Sequence, residues 1–199
     1  MEPAAEAQEE HNGPPRNPFT AAEVKAILQR RGWLPAPPAE IAPAEPGQKA
    51  APAESGFASW IAEAATLLGV RAADESALER LLGHVFSYDA AQLLARAENQ
   101  AVLSREGARD VLRELAALVL DSPAVDSDRF KQIVAALKEA TGRRGPELFH
   151  PVRLVLAGSA GEGEYDRVIL LLDGAARLPW AVQVKSCRQR ILEFCAAFD

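Results

Sequence analysis

The chain has 199 residues, of which 48% are hydrophobic and 25% are charged, and its formal net charge is −6. These fractions are typical of a soluble globular protein, and the length allows one domain together with a tail. The sequence has no apolar run of about 18 residues and no apolar segment near its acidic start, so it predicts neither a transmembrane helix nor a secretory signal. The two cysteines, Cys187 and Cys195, are expected to be buried thiols in a reducing cytoplasm.

Residues 1–55 are predicted to form a disordered tail, because ten of the chain's 14 prolines lie there among many alanines. One island, residues 17–34, has helical character. Thr20 and Glu23 have the spacing of a capping box, so a short amphipathic helix is expected at about residues 20–32.

A helix of this length is marginal in water on its own, so its apolar side chains should be docked. Two docking surfaces stay open for this helix: a groove on a partner protein, or the core of the chain's own bundle. The candidate docking residues are Phe19, Ile27, Leu28 and Trp33.

Residues 56–199 are predicted to form an all-α bundle, because apolar side chains recur at helical spacing and no reliable alternating series appears. One helix should end at Gly69 and another at Gly142. The expected first residues or caps of the helices between them are Asp74, Asp89, Ser104 and Ser127. Residues 152–158 fit either a short buried helix or a strand, a further helix should carry Val168 to Leu172, and a last one should cover about 181–197.

The chemistry-bearing residues do not suggest an enzyme. The three histidines and two cysteines lack metal-ligand spacing, and no phosphate-binding loop or paired carboxylates occur, so no metal or cofactor is expected. The net charge is also unlike that of most nucleic-acid binders. The positive exception is residues 126–158, with six Lys and Arg against four Asp and Glu, so any RNA contact should include this segment.

The segment LKEATGRRGPELFHPVRLVLAGSAGEGEYDRVILLLDG, residues 137–174, carries a more specific pattern. It contains a Leu-Phe-x-Pro-hydrophobic-Arg core, a Leu-x-Gly turn and an apolar helix that ends at Gly174. In this order it resembles the C-terminal anticodon-binding domain of bacterial glutamyl-tRNA synthetases, which belong to the class I aminoacyl-tRNA synthetases. The helices predicted upstream fit the same domain in order and length, so the resemblance extends over roughly residues 75–195.

The resemblance implies a helical fold for residues 151–157, and Pro151 suits the first turn of a helix, so a helix is expected to begin near it. Arg153 then either contacts RNA or pairs with an acidic residue inside the bundle. The other candidate RNA-binding residues are Arg143, Arg144, Lys131 and Lys138.

The implied function is that of a free-standing, non-catalytic, cytoplasmic module. Its expected partners are a tRNA, with tRNA-Glu as one candidate, or a synthetase catalytic chain. The ATP-binding motifs of the family's catalytic domain, of the His-x-Gly-His and Lys-x-Ser-Lys types, do not occur in the sequence. The alternative is a protein-interaction adaptor that kept the helical fold and lost RNA binding, which the acidic loop at 162–166 favours.

Overall fold

The computed structural model describes residues 18–35 and 52–198. Within those ranges it consists of ten α-helices and no β-strand, which confirms the all-α prediction. Most of the predicted disordered tail, residues 1–17 and 36–51, lies outside the described residues. None of the described helices combines the length and the apolar character that a membrane span requires.

From α2 to α9 the helices follow one another with connections of at most six residues, and eleven residues, 176–186, join α9 to α10. Their bounds are α1 Ala21–Arg30, α2 Pro52–Leu68, α3 Glu75–Phe86, α4 Ala90–Leu94, α5 Ala97–Leu103, α6 Ala108–Leu120, α7 Ser127–Thr141, α8 Pro146–Ala157, α9 Glu164–Ala175 and α10 Cys187–Phe198.

Helices α8 and α9 form the centre of the bundle. α9 packs against α2, α3 and α8, while α8 also contacts α6 and α10. Every residue from Pro151 to Gly158 is buried. A helix that is apolar on all sides belongs in the middle of a protein, which explains why residues 152–158 carry no clear helical periodicity in the sequence.

Several local signals act as the sequence predicts. Thr20 and Glu23 form the capping box of α1. The carboxylates of Asp74 and Asp89 accept hydrogen bonds at the starts of α3 and α4. Gly142 ends α7 with a φ of 68°, in the left-handed region that favours glycine.

The expectation that a helix begins near Pro151 is wrong, because α8 begins five residues earlier. Proline is favoured in the first turn of a helix, and Pro146 occupies that turn of α8. Pro151 therefore lies inside the helix, where it has no N–H to donate to the carbonyl of Glu147.

The last helix begins at Cys187, not near residue 181. The reason is a second capping box, formed by Ser186 and Gln189. The Gln189 backbone N–H donates to Ser186 Oγ at 3.2 Å, and the Ser186 N–H donates to Gln189 Oε1 at 2.8 Å. These bonds satisfy donors that a helix start leaves unpaired, so the helix begins there.

Two further boundaries differ from the predictions. Ser104 lies at the end of α5, a helix that the sequence analysis missed, and α6 starts after Gly107. α2 begins at Pro52, inside the predicted disordered tail. α7 begins at Ser127 as predicted, with Asp126 as its cap.

Candidate functional site

The positive segment of the sequence folds into a corner between α7 and α8. α7 ends at Gly142, and Gly145 takes a φ of 52° just before α8, so two glycines turn the chain within four residues. The hydroxyl of Thr141 donates to the Leu137 carbonyl at 2.6 Å and accepts from the Arg143 N–H at 3.3 Å. These bonds fix the start of the turn that carries Arg143 and Arg144.

Four of the five predicted RNA-binding residues lie on α7 or in this turn, and we call them the corner cations: Lys131, Lys138, Arg143 and Arg144. Lys131 and Lys138 are seven residues apart, so they share a face of α7 and stand about 10 Å apart along its axis. The side chains of Lys138 and Arg144 are exposed, and neither takes part in an ion pair within the described residues.

The other two corner cations are paired with carboxylates at the surface. Lys131 Nζ lies 2.9 Å from Asp128 Oδ1. Arg143 bridges Glu106, at 3.2 Å, and Glu147, at 3.4 Å, which raises its pKa above the ordinary value. Exposed pairs of this kind contribute little and are weakened by salt, so both cations can exchange a carboxylate for a phosphate.

Arg153 is placed differently from the corner cations, because it is 8% exposed inside the bundle. Its Nε and second terminal nitrogen donate to the two oxygens of Asp166 at 2.7 and 2.9 Å. Its remaining terminal nitrogen donates to the Gly161 carbonyl at 2.8 Å. The intramolecular pairing is thus the arrangement present in the structure, and it neutralises one charge of the acidic loop at 162–166.

Phe149 connects Arg153 to the corner. Its half-buried ring lies 4.9 Å from the Arg153 guanidinium carbon and 5.8 Å from Lys138 Nζ. A cation over an aromatic face is attracted by the ring's quadrupole. Phe149 therefore helps to place Lys138 at the edge of the corner.

Two cationic or titratable neighbours of the corner were missed in the sequence analysis. A terminal nitrogen of Arg105 lies 3.0 Å from His150 Nδ1. Burial, with the charges of Arg105 and Arg153, lowers the pKa of His150 below its ordinary value. His150 lies inside the quoted motif and could have been noticed, whereas Arg105 follows α5, which the sequence did not reveal.

The candidate docking residues of the first helix are buried in the chain's own core. Phe19, Ile27, Leu28 and Trp33 are all 6% exposed or less. The Phe19 N–H donates to the Gly69 carbonyl at 3.2 Å, and the Trp33 ring stacks on Phe86 with centroids 4.5 Å apart. Of the two roles considered, docking on the chain's own bundle is the one that the structure contains.

Metal-ligating groups are scattered in the described part of the chain. No group of three or more His, Cys, Asp or Glu side chains there could hold a metal ion. Cys187 is buried, with its Sγ 3.8 Å from the Ile169 carbonyl, and burial raises its pKa well above the ordinary value, so the thiol stays protonated. Since the described residues hold no metal-binding group and the Cys187 thiol is protonated, the corner cations are the leading candidate site.

The chain is similar to known proteins of one family. The model of the anticodon binding domain family matches residues 44–172. Glutamate–tRNA ligase 2 of Syntrophus aciditrophicus (strain SB) is 38% identical over 72 residues, which cover 36% of this chain and 15% of that ligase. Glutamate–tRNA ligase of Geobacillus stearothermophilus is 30% identical over 96 residues, which cover 48% of this chain and 17% of that ligase.

The matched region is thus less than a fifth of the length of either curated relative. No solved structure matches the chain significantly. The family model covers more than half of the chain, including the Leu-Phe-x-Pro-hydrophobic-Arg core and the corner. The chain therefore belongs to the anticodon binding domain family, and its predicted resemblance to the glutamyl-tRNA synthetase domain is confirmed.

Proposed function

We propose that the chain is a non-catalytic module that binds the anticodon arm of a tRNA in the cytoplasm, with tRNA-Glu as the first candidate. The observation that carries the proposal is the family match over residues 44–172. Both relatives are named as glutamate–tRNA ligases, which supports the choice of tRNA. The sequence lacks the ATP-binding motifs named above, so aminoacylation would need a catalytic domain that these 199 residues do not contain.

The corner cations are the proposed RNA contacts. Phosphate contacts from Lys and Arg supply most of the affinity of a protein for nucleic acid. Lys138 and Arg144 are exposed and take part in no ion pair within the described residues, so they can meet phosphates without breaking a bond. Lys131 and Arg143 extend the same edge and exchange their surface carboxylates for phosphates.

Arg153 is proposed to act indirectly. Its bond to the Gly161 carbonyl and its pair with Asp166 hold the loop between α8 and α9 in place. A direct RNA contact would require both interactions to break inside a low-dielectric interior, which is unfavourable. The role of Arg153 in binding is therefore to keep Phe149 and the corner in position.

The test compares two RNA hairpins, one copying the anticodon arm of tRNA-Glu and one copying its acceptor arm, by fluorescence anisotropy at low salt. The full chain should bind the first hairpin more tightly than the second. Replacing Lys138→Gln together with Arg144→Gln should weaken that binding roughly a hundredfold or more, because charge-assisted contacts contribute about 1.5–3 kcal/mol each and two are lost.

A matched control removes two exposed positive charges elsewhere, with Lys25→Gln on α1 and Arg113→Gln on α6. The control should lose far less affinity. Equal losses in both variants would mean that the binding depends only on the net charge of the chain. The absence of binding to either hairpin at low salt would overturn the proposal.

The structure adds one observation that favours the adaptor alternative, beside the acidic loop at 162–166. An apolar cleft of about 740 Å³ lies between α1 and α2, lined by Leu34, Phe57 and Ile61 among others. If neither hairpin binds while Ala58→Asp, at an exposed residue of the cleft, abolishes retention of a purified synthetase catalytic chain, the adaptor role is the correct one.

A further inference from the structure

A second concave site lies away from the corner, between α3, α4 and the end of α8. Its volume is about 310 Å³, at the lower end of the range of about 300–1,000 Å³ that holds small molecules. Cationic, aromatic and amide groups line it: Arg80, Arg96, His84, Tyr88 and Gln92. We call it the His84 cavity.

Two exposed arginines stand at the rim of the cavity. Neither Arg80 nor Arg96 forms an ion pair within the described residues. The carboxylate among the lining residues belongs to Asp89, and it is already engaged by the backbone N–H of Gln92 at 2.9 Å and by Gln92 Nε2 at 3.0 Å. These neutral partners leave the Asp89 charge in place, but the two arginines outnumber it among the lining residues, so the rim keeps a net positive charge and free donors for an anion.

A third cation lies behind the cavity. Arg190 is fully buried, and its guanidinium lies 4.6 Å from the centre of the Tyr88 ring. It donates to the carbonyls of Val85, Leu156 and Lys185 at 2.7–3.1 Å. Carbonyls satisfy its hydrogen bonds but carry no net charge, so part of its positive field reaches the cavity.

The inner wall of the cavity consists of rings that converge on a glycine. Gly158 has a φ of 76°, and a Cβ placed there would lie 3.6 Å from His84 Nδ1 and 3.7 Å from a Tyr88 ring carbon. The same Cβ would lie 3.7 Å from Leu93. Gly158 thus packs against these three side chains at ordinary van der Waals distance, and the parts of them that face the cavity give it a partly aromatic lining.

Gly83 keeps the mouth of the cavity open. It lies inside α3, where glycine costs about 0.5–1 kcal/mol relative to alanine. Nothing lies within 4 Å of a Cβ placed on it, so no neighbour requires a glycine there. Gly83 therefore lowers the stability of α3 although packing does not require a glycine there, and it borders the cavity.

We propose that the His84 cavity binds a single nucleotide, with its phosphate on Arg80 and Arg96 and its base against His84 and Tyr88. The Gln92 amide supplies a donor and an acceptor for the base edge. The ligand chemistry is that of a nucleoside 5′-monophosphate, supplied either by an unpaired residue of an RNA or by a free nucleotide. The inference stands independently of the RNA contact proposed for the corner.

The experiment titrates the full ¹⁵N-labelled chain with AMP, CMP, GMP and UMP at millimolar concentration and follows the amide resonances of Gly83 and Gly158. At least one nucleotide should shift both resonances saturably. Arg80→Gln with Arg96→Gln should weaken this binding roughly a hundredfold or more, because two charge-assisted contacts are lost. Arg113→Gln should leave it unchanged.

A second variant separates binding from folding. Gly83→Leu fills the mouth of the cavity, should keep or raise the midpoint of thermal unfolding, and should abolish the shifts. Saturable binding that survives both cavity variants would overturn the proposal. The absence of a saturable shift with all four nucleotides, or equal affinity for inorganic phosphate, would also overturn it.

Competition with unlabelled tRNA distinguishes the two sources of the nucleotide. If tRNA displaces the nucleotide, the cavity takes an unpaired residue of the RNA. If tRNA and nucleotide bind together, or if tRNA does not bind at all, the site takes a free nucleotide. A failure of the corner variants to affect tRNA therefore leaves this test intact.

Discussion

Two buried arginines tie α8 to its neighbours. Arg153 joins it to the start of α9 through Asp166, and Arg190 joins its Leu156 carbonyl to the Val85 carbonyl at the end of α3. Burial lowers the pKa of Arg190 to about 10, so the side chain remains charged at neutral pH. The motif singles out Arg153, but Asp166 is one of several acids between residues 162 and 166, and only the fold shows which carboxylate Arg153 meets.

Replacing Arg153→Met should lower the free energy of unfolding by about 3 kcal/mol, because it leaves Asp166 without its partner in a partly buried site. Urea denaturation measures the loss. The control, Arg113→Met, removes an exposed pair with Asp110 and should cost less than about 1 kcal/mol. If Arg153→Met is as stable as the wild type yet fails to bind the anticodon hairpin, direct RNA contact is the better interpretation of this residue.

His84 should make the protein less stable in weak acid. Burial holds its pKa below the ordinary 6.5, and the charges of Arg190, Arg96 and Arg80 act in the same direction. The unfolded chain therefore takes up this proton first as the pH falls through about 6.5, and the free energy of unfolding decreases until His84 also titrates in the folded state.

Urea denaturation from about pH 7 to about pH 5.5 measures this decrease. The variant His84→Gln should show a smaller decrease than the wild type. His150→Gln serves as a comparison, since His150 also has a lowered pKa but is less buried. An identical pH dependence in His84→Gln and the wild type would contradict the assignment.

At the scale of the elements, the helix starts could be predicted where a side chain caps them locally. Thr20 with Glu23, Asp74 and Asp89 act within three residues of themselves, so the sequence holds the whole signal. Ser186 with Gln189 is the same kind of signal, and it is present in the sequence. The predicted helix nevertheless began before Ser186, because the apolar Val184 was included in it. Val184 is buried although it lies in the segment before α10, so an apolar residue at this position does not indicate a helix.

Other elements required tertiary information. The start of α6 depends on Gly107, which has a φ of 78° and no capping side chain. α5 buries only a narrow set of side chains, and its Asn99 amide donates to the Leu93 carbonyl at 2.8 Å. The corner could be located from charge and the motif, whereas the His84 cavity could not, because the end of α8 is far in sequence from α3 and α4.

The first helix should behave as part of the core. Leu28 has no exposed surface, so Leu28→Ala should lower the free energy of unfolding by about 2–5 kcal/mol. Leu192→Ala is the matched control, because Leu192 is 49% exposed on α10, and its cost should be small. Urea denaturation of both variants decides the matter: equal stability would mean that α1 does not contribute to folding.

At the scale of the whole molecule, an aromatic cluster joins distant parts of the chain. Trp60 and Trp180 meet with centroids 4.9 Å apart, and Phe86 lies 4.9 Å from Trp180 and 4.5 Å from Trp33. The Ala181 N–H donates to the Trp33 carbonyl at 2.9 Å. The cluster makes residues 18–35 part of the same core as the bundle, so a domain that begins at residue 56 would lack one of its walls.

The charge of the whole molecule determines how RNA binding should depend on salt. The chain carries a net charge of −6, so attraction to RNA must come from the local corner cations. The logarithm of the binding constant falls with the logarithm of salt concentration by about 0.7–0.9 for each phosphate contacted. With four corner cations, anisotropy titrations of the anticodon hairpin should give a slope of about −3.

The variant with Lys138→Gln and Arg144→Gln should reduce the magnitude of that slope by about 1.5, since two phosphate contacts are lost. The control with Lys25→Gln and Arg113→Gln should keep the wild-type slope, because neither residue lies at the corner. A corner variant that binds more weakly with an unchanged slope would show that these residues act through the fold of the corner and not through phosphates.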